Sequence, residues 1–170
     1  HLIGLIWIFW FLLIFGVKFC FRCIDLMDKL HEGTQHACCV DFDGNGLLIL
    51  GKSGSGKSSL AIACMGLGAV LVGDDYITLK IQNKNIIAIS PPNIAGLIEV
   101  PKVGILKCNY TEQTKLTLAI DVSKGEINRL PVRRFIKLKN CKIPLIYGAG
   151  IPHLHCVACQ LIKGGFQIFE

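Results

Sequence analysis

Residues 46–58 read Gly-Leu-Leu-Ile-Leu-Gly-Lys-Ser-Gly-Ser-Gly-Lys-Ser, an apolar run followed by a glycine-rich loop with a lysine. The apolar run at 47–50 makes a short, fully buried strand. Gly51, Lys52, Ser53, Gly54, Ser55, Gly56, Lys57 and Ser58 then satisfy G-x-x-x-x-G-K-[ST] at every position. Glycines let successive backbone N–H groups turn inward around phosphate oxygens, Lys57 reaches the terminal phosphates, and the Ser58 hydroxyl ligates Mg²⁺. Residues 58–67 are rich in Ser, Ala, Leu and Ile and stop at Gly66 and Gly68, as a helix with a glycine C-terminus does. A phosphate would sit at the N-terminus of that helix, where the dipole and free amides favour anions. Strand, loop and helix in this order predict a nucleotide-phosphate site.

On the N-terminal side, ACCVDF (37–42) and GLLIL (46–50) flank the turn Asp43-Gly44-Asn45 and read as a hairpin feeding the buried strand. Downstream, AVLV (69–72) is a β-branched run that delivers Asp74 and Asp75 to its C-terminal end. Ligands of α/β sheets bind at that end, and a P-loop protein keeps its Mg²⁺-linked aspartate there. Neighbouring residues of a strand point to opposite sides, so one carboxylate can serve the metal while the other faces an incoming nucleophile. Residues 76–81 and 86–89 predict a second hairpin, 97–100 and 116–122 further strands, and 133–138 with 143–147 a third hairpin. A polar lead-in precedes His36, Pro91-Pro92-Asn93 breaks the chain, and no repeat or long linker is present. The expected class is α/β, with one early helix and a large mixed sheet.

The 170 residues are 52% apolar and 18% charged, with a net charge of +6, which excludes a disordered chain and leaves room for one domain with a core. The apolar excess is concentrated in residues 1–26, where no formal charge occurs before Lys18 and Arg22. A bilayer span needs roughly 20 apolar residues. With charges only after the run, a cleaved signal peptide fits poorly, and an anchor would leave the rest of the chain in the cytoplasm. The preferred reading places residues 1–26 outside the functional protein. A membrane anchor is the alternative, and membrane contact is expected only in that case.

Nine cysteines beside a nucleotide site point to a reducing cytoplasm and free thiols. Two C-x-x-C pairs occur, Cys20/Cys23 and Cys156/Cys159, the second after His153-Leu154-His155. HLHCVAC has the look of a metal loop; ordinary thiols are the preferred reading. Residues 129–142 hold Arg129, Arg133, Arg134, Lys137, Lys139 and Lys142 without an acid, which reads first as a solvated hairpin and second as a docking face for an acidic surface or a nucleotide. No nucleic-acid partner is expected, because no aromatic-rich motif accompanies the charge.

QHACCVDFDGNGLLILGKSGSGKSSLAIACMGLGAVLVGDDYI, followed by SPPNIAGLIEVPKVGIL, resembles the C-terminal catalytic domain of HPr kinase/phosphorylase. The likeness is to the short alphaproteobacterial form, strongest over residues 36–147 of a catalytic domain expected at 27–170. It implies a P-loop kinase domain with a mixed β-sheet and few helices, similar to the HPr kinase and phosphoenolpyruvate carboxykinase nucleotide-binding fold. The implied activity is ATP- and Mg²⁺-dependent phosphorylation of a serine on the phosphocarrier protein HPr, regulating carbohydrate metabolism, with phosphorolysis as the reverse. By the same resemblance His36 has an active-site role, Lys57 and Ser58 are the loop lysine and the Mg²⁺-binding serine, and Asp74 and Asp75 supply the general base. Glu99 is the second metal-linked carboxylate, Arg129 is a catalytic arginine, and the assembly is a homo-oligomer, hexameric in the family. The chain departs from the family where Glu99-Val100-Pro101-Lys102 replaces E-[VI]-R-G, so the kinase direction is expected over the phosphorylase direction. A P-loop kinase of a small molecule and a non-catalytic nucleotide sensor are the alternatives.

Overall fold

The computed structural model describes residues 27–165; the hydrophobic lead, with its anchor reading and Cys20/Cys23, lies outside the described residues. The described residues form twelve strands and two α-helices, in order β1 (Met27–Lys29), β2 (Gly33–His36), β3 (Cys38–Phe42), β4 (Asn45–Leu50), α1 (Lys57–Met65), β5 (Val70–Gly73), β6 (Tyr76–Gln82) and β7 (Asn85–Ile89). A 3₁₀ turn (Pro92–Ile94) leads to β8 (Leu97–Val100), β9 (Gly104–Lys107), β10 (Gln113–Gly125), β11 (Arg134–Leu138), β12 (Cys141–Ala149) and α2 (Leu154–Gly164). Among the described residues no helix is long and apolar enough to cross a membrane.

The large sheet runs β1-β11-β12-β10-β4-β3-β5. β10 is its spine, pairing in parallel with β4 on one side and β12 on the other, while its first residues pair antiparallel with β7. β7 carries β6, and β6 carries β2, so this part of the sheet folds over the rest. β8 and β9 form a separate two-stranded ribbon.

Period-two alternation builds two cores from one set of strands. Cys38, Val40 and Phe42 of β3, Leu47 and Ile49 of β4, and Leu118 and Ile120 of β10 face the helices, packing with Leu60, Ala61 and Cys64 of α1 and Ala158 and Cys159 of α2. Cys39, Leu48 and Ala119 face the opposite way, onto Ile77, Leu79, Ile86 and Ala88 of the β6–β7 hairpin and Ile136, Leu138 and Leu145 of β11 and β12. A register shift between Leu116 and Leu118 lets β10 serve both sides.

The expected hairpins at β3–β4, β6–β7 and β11–β12 form, and α1 follows the loop as the glycine pattern requires. The tail that resembled a metal loop is instead α2, and among the described residues no group of three or more His, Cys, Asp or Glu side chains could hold a metal. Leu154, Ala158, Cys159, Leu161 and Ile162 lie on its core side. Cys159 packs near Cys64, whose thiol is pushed up to about 12 by burial first and then by Cys159 and Cys156. The polar lead-in forms the paired strands β1 and β2, which hydropathy alone does not signal.

Gly148 near the end of β12 makes the docking of α2 possible. A Cβ there would lie 2.7 Å from Leu154 Cδ2 and 2.8 Å from Ile120 Cγ2, both inside van der Waals contact. Ile120 is fully buried and β-branched and cannot turn away. Gly148→Ala is therefore expected to cost about 1–3 kcal/mol, read as a lower urea midpoint with an unchanged slope.

Candidate active site

Strand order brings the chemistry together. β4 runs parallel to β5 with β3 antiparallel between them, in register Cys38↔Ile49 and Cys39↔Gly73. The start of β3 and the ends of β4 and β5 therefore share one edge. There the chain emerges as His36, as the loop 51–58 and as Asp74-Asp75.

The loop has the backbone it needs. Gly51, Gly54 and Gly56 have φ of 149°, 74° and 95°, values that L side chains rarely adopt. At Gly51 space is also closed, since a Cβ would lie 2.5 Å from Ser55 Oγ and 2.9 Å from Val122 Cγ2. The Ser55 hydroxyl donates to the Lys52 carbonyl at 2.7 Å and pins the loop on itself. Lys57 is only 5% exposed, and its ammonium donates to the carbonyls of Gly51 (3.2 Å) and Lys52 (3.1 Å). This buried cation lies under the loop at the N-terminus of α1, where an anion is doubly favoured.

Ser58, one residue on, donates its hydroxyl to both oxygens of Asp74, at 2.9 and 3.2 Å. Asp74 is 4% exposed and accepts two more contacts: the Glu99 amide reaches Oδ2 at 3.1 Å, and the Cys38 thiol lies against Oδ1. Burial first, and then the charge of Asp74, push the Cys38 thiol far above the ordinary thiol range.

Asp75 turns the other way. Its φ of 63° is left-handed, and the turn is held by Tyr76 N donating to Asp74 O (2.8 Å) and Ala37 N donating to Asp75 O (3.1 Å). The two carboxylates do diverge, by means of this tight turn and not by strand alternation. The Asp75 side chain is 52% exposed and lies 3.6 Å from His36 Nε2, whose ring meets that of Tyr76 edge-on at 5.9 Å.

The other candidate residues stand differently. Glu99 reaches the cluster through its backbone amide, while its side chain is exposed on β8. Arg129 sits in the exposed loop between β10 and β11 and, among the described residues, makes no hydrogen bond or ion pair with the loop or the aspartates. The basic run nearby is partly spoken for. Arg134 pairs with Glu126 and lies 4.3 Å over the Tyr147 ring, Lys139 pairs with Glu32, and Lys142 lies 4.3 Å over the Phe135 ring. The Asn128 amide first, and then Arg134, hold the Glu126 carboxyl below the usual carboxylate range.

Nothing local in the sequence marks Cys38 as part of the site. A cysteine in an apolar strand reads as core, and only the non-sequential neighbourhood of β3 and β5 sets it beside Asp74. The hard oxygen donors of Ser58 and Asp74 suit Mg²⁺, and the amide-lined loop with its buried lysine suits the phosphates of a nucleotide.

A glycine loop between strand and helix, a lysine beneath it and an acid just past the parallel strand two places away define a P-loop domain. The chain belongs to the family described as the HPr Serine kinase C-terminal domain, which it matches over residues 28–147. It is 30% identical over 126 residues to the HPr kinase/phosphorylase of Caldicellulosiruptor bescii, a match covering 66% of this chain and 40% of that protein. The HPr kinase/phosphorylase of Clostridium perfringens is 31% identical over 144 residues, covering 74% of this chain and 47% of the relative. The chain thus spans less than half the length of these curated relatives. Its fold superposes on the Hpr(Ser) kinase/phosphatase of Coxiella burnetii with a TM-score of 0.68 at 28% identity, covering 78% of this chain and 95% of the other.

Proposed function

We propose that this domain is an ATP- and Mg²⁺-dependent protein-serine kinase acting on an HPr-like phosphocarrier, as the names of its relatives imply. One observation carries the reading: the two adjacent aspartates are separated into a buried carboxylate tied to Ser58 and an exposed one beside His36. Phosphoryl transfer asks for positioning, charge neutralisation and one base, and these two environments divide the work. The loop amides and Lys57 hold the β- and γ-phosphates, and Ser58 with Asp74 would hold Mg²⁺. Bound there, the metal ion would offset phosphate charge as the γ-phosphoryl group leaves ADP.

Asp75 accepts the proton of the acceptor serine as its oxygen bonds to the phosphorus, and the bond to the bridging β–γ oxygen breaks. His36, 3.6 Å away, orients Asp75. Glu99 would add its carboxylate to the metal site, and Arg129 reaches the phosphates once substrate is bound. The forward direction dominates the phosphorolytic one, because Pro101 and Lys102 stand where the family has an arginine and a glycine. Assembly into a homo-hexamer and a cytoplasmic location belong to the same proposal.

The test is incubation with γ-labelled ATP, Mg²⁺ and HPr, with Asp75→Asn in parallel. Label should pass to HPr, and Asp75→Asn should lower kcat by about 10²–10⁴ with ATP binding retained. Label passing only to a small molecule, or nucleotide binding without transfer, would overturn the proposal.

A further inference from the structure

Asp74 is oriented by three donors from three separate segments: the Ser58 hydroxyl from α1, the Glu99 amide from β8 and the Cys38 thiol from β3. A carboxylate only accepts, so at Oδ1 the sulfur must be the donor. Cys38 is fully buried, and its sulfur also lies 4.0 Å from Ser58 Oγ. An apolar residue of the same size would fill the core equally well and leave Oδ1 with Ser58 as its single partner. Ser58 is the one donor of the three whose oxygen is also wanted by the metal.

We infer that Cys38 is a positioning residue whose thiol holds the Asp74 carboxylate in its metal-binding orientation while Ser58 turns to the cation. The inference rests on the metal role given above to Ser58 and Asp74. It goes beyond that role by assigning a function to a side chain that reads as plain core. Donors that orient a metal ligand are typically worth 10–100-fold in metal affinity.

The test uses Mn²⁺ with ATP and no protein acceptor, free Mn²⁺ being counted by electron paramagnetic resonance in the wild type, Cys38→Val, Cys38→Ala and Cys38→Ser. Val keeps the bulk without a donor, and Ser keeps a donor. Expected are a roughly 10-fold weaker Mn²⁺ affinity for Val and Ala, and a value within about 2-fold of wild type for Ser. KM for the protein acceptor should stay unchanged in all of them. Equal affinity in Val and wild type, or Ser as weak as Val, overturns the inference. If Val fails to fold, the Ala and Ser pair makes the same comparison. A wild type that binds Mn²⁺ and ATP without phosphorylating HPr sinks the kinase proposal and still reads out the Cys38 inference; failure to bind Mn²⁺ and ATP at all overturns both.

Discussion

Asp74→Asn should abolish transfer, lowering kcat by about 10³-fold or more, roughly 4 kcal/mol in the barrier. The substitution keeps the shape of a side chain that is 4% exposed and keeps one oxygen to accept from the Glu99 amide. It removes the negative charge and puts an NH₂ in place of Oδ1, where both the Ser58 hydroxyl and the Cys38 thiol now donate. A bound metal ion would lose an anionic ligand in a site with little access to water, where an ionic contact is strongest. A cost of about 1–3 kcal/mol in stability is expected alongside, since a buried donor loses its acceptor. Steady-state rates measured with a urea midpoint on the same protein separate the two effects. Full activity in a folded Asp74→Asn would remove the buried carboxylate from the metal site.

Lys57→Met carries the second large effect. Met matches the unbranched stem of lysine but has no charge, so ATP would meet the loop without the cation lying beneath it. A fall of about 10²–10³ in kcat/KM is expected, roughly 3–4 kcal/mol. Lys57→Arg should fail to restore it. The ammonium fits between the carbonyls of Gly51 and Lys52 at 3.2 and 3.1 Å in a position only 5% exposed, and a planar five-donor fork cannot occupy that space. Nucleotide binding followed by calorimetry, with kcat/KM for both variants, makes the comparison. Restored activity in Lys57→Arg would mean that net charge, and not placement, is what the loop requires.

The local parts of this site are legible in the chain because their signals are local. Leu47 to Ser58 announces strand, loop and helix by apolar run, glycine spacing and motif, and Val70–Gly73 announces the acids at its end. The elements that escape such reading are those that exist through pairing. β2 (Gly33–His36) and β9 (Gly104–Lys107) are largely polar or exposed and are strands because β6 and β8 lie beside them. α2 is a different case. Its apolar positions at 154, 158, 161 and 162 have helical spacing, but His153, His155 and the two cysteines draw the eye to metal chemistry. Cys38 is illegible for a topological reason: its partner Asp74 is 36 residues away, just past a strand that becomes a neighbour only because β3 lies between β4 and β5.

The proposed reaction moves the γ-phosphoryl group of ATP onto a serine of a carrier protein. Tandem mass spectrometry of HPr after incubation with the wild type, ATP and Mg²⁺ reads that transfer residue by residue. One added phosphoryl group is expected, on a serine, formed only when Mg²⁺ is present and Asp75 is intact. A phosphoryl group on histidine, or unmodified HPr beside consumed ATP, would contradict it.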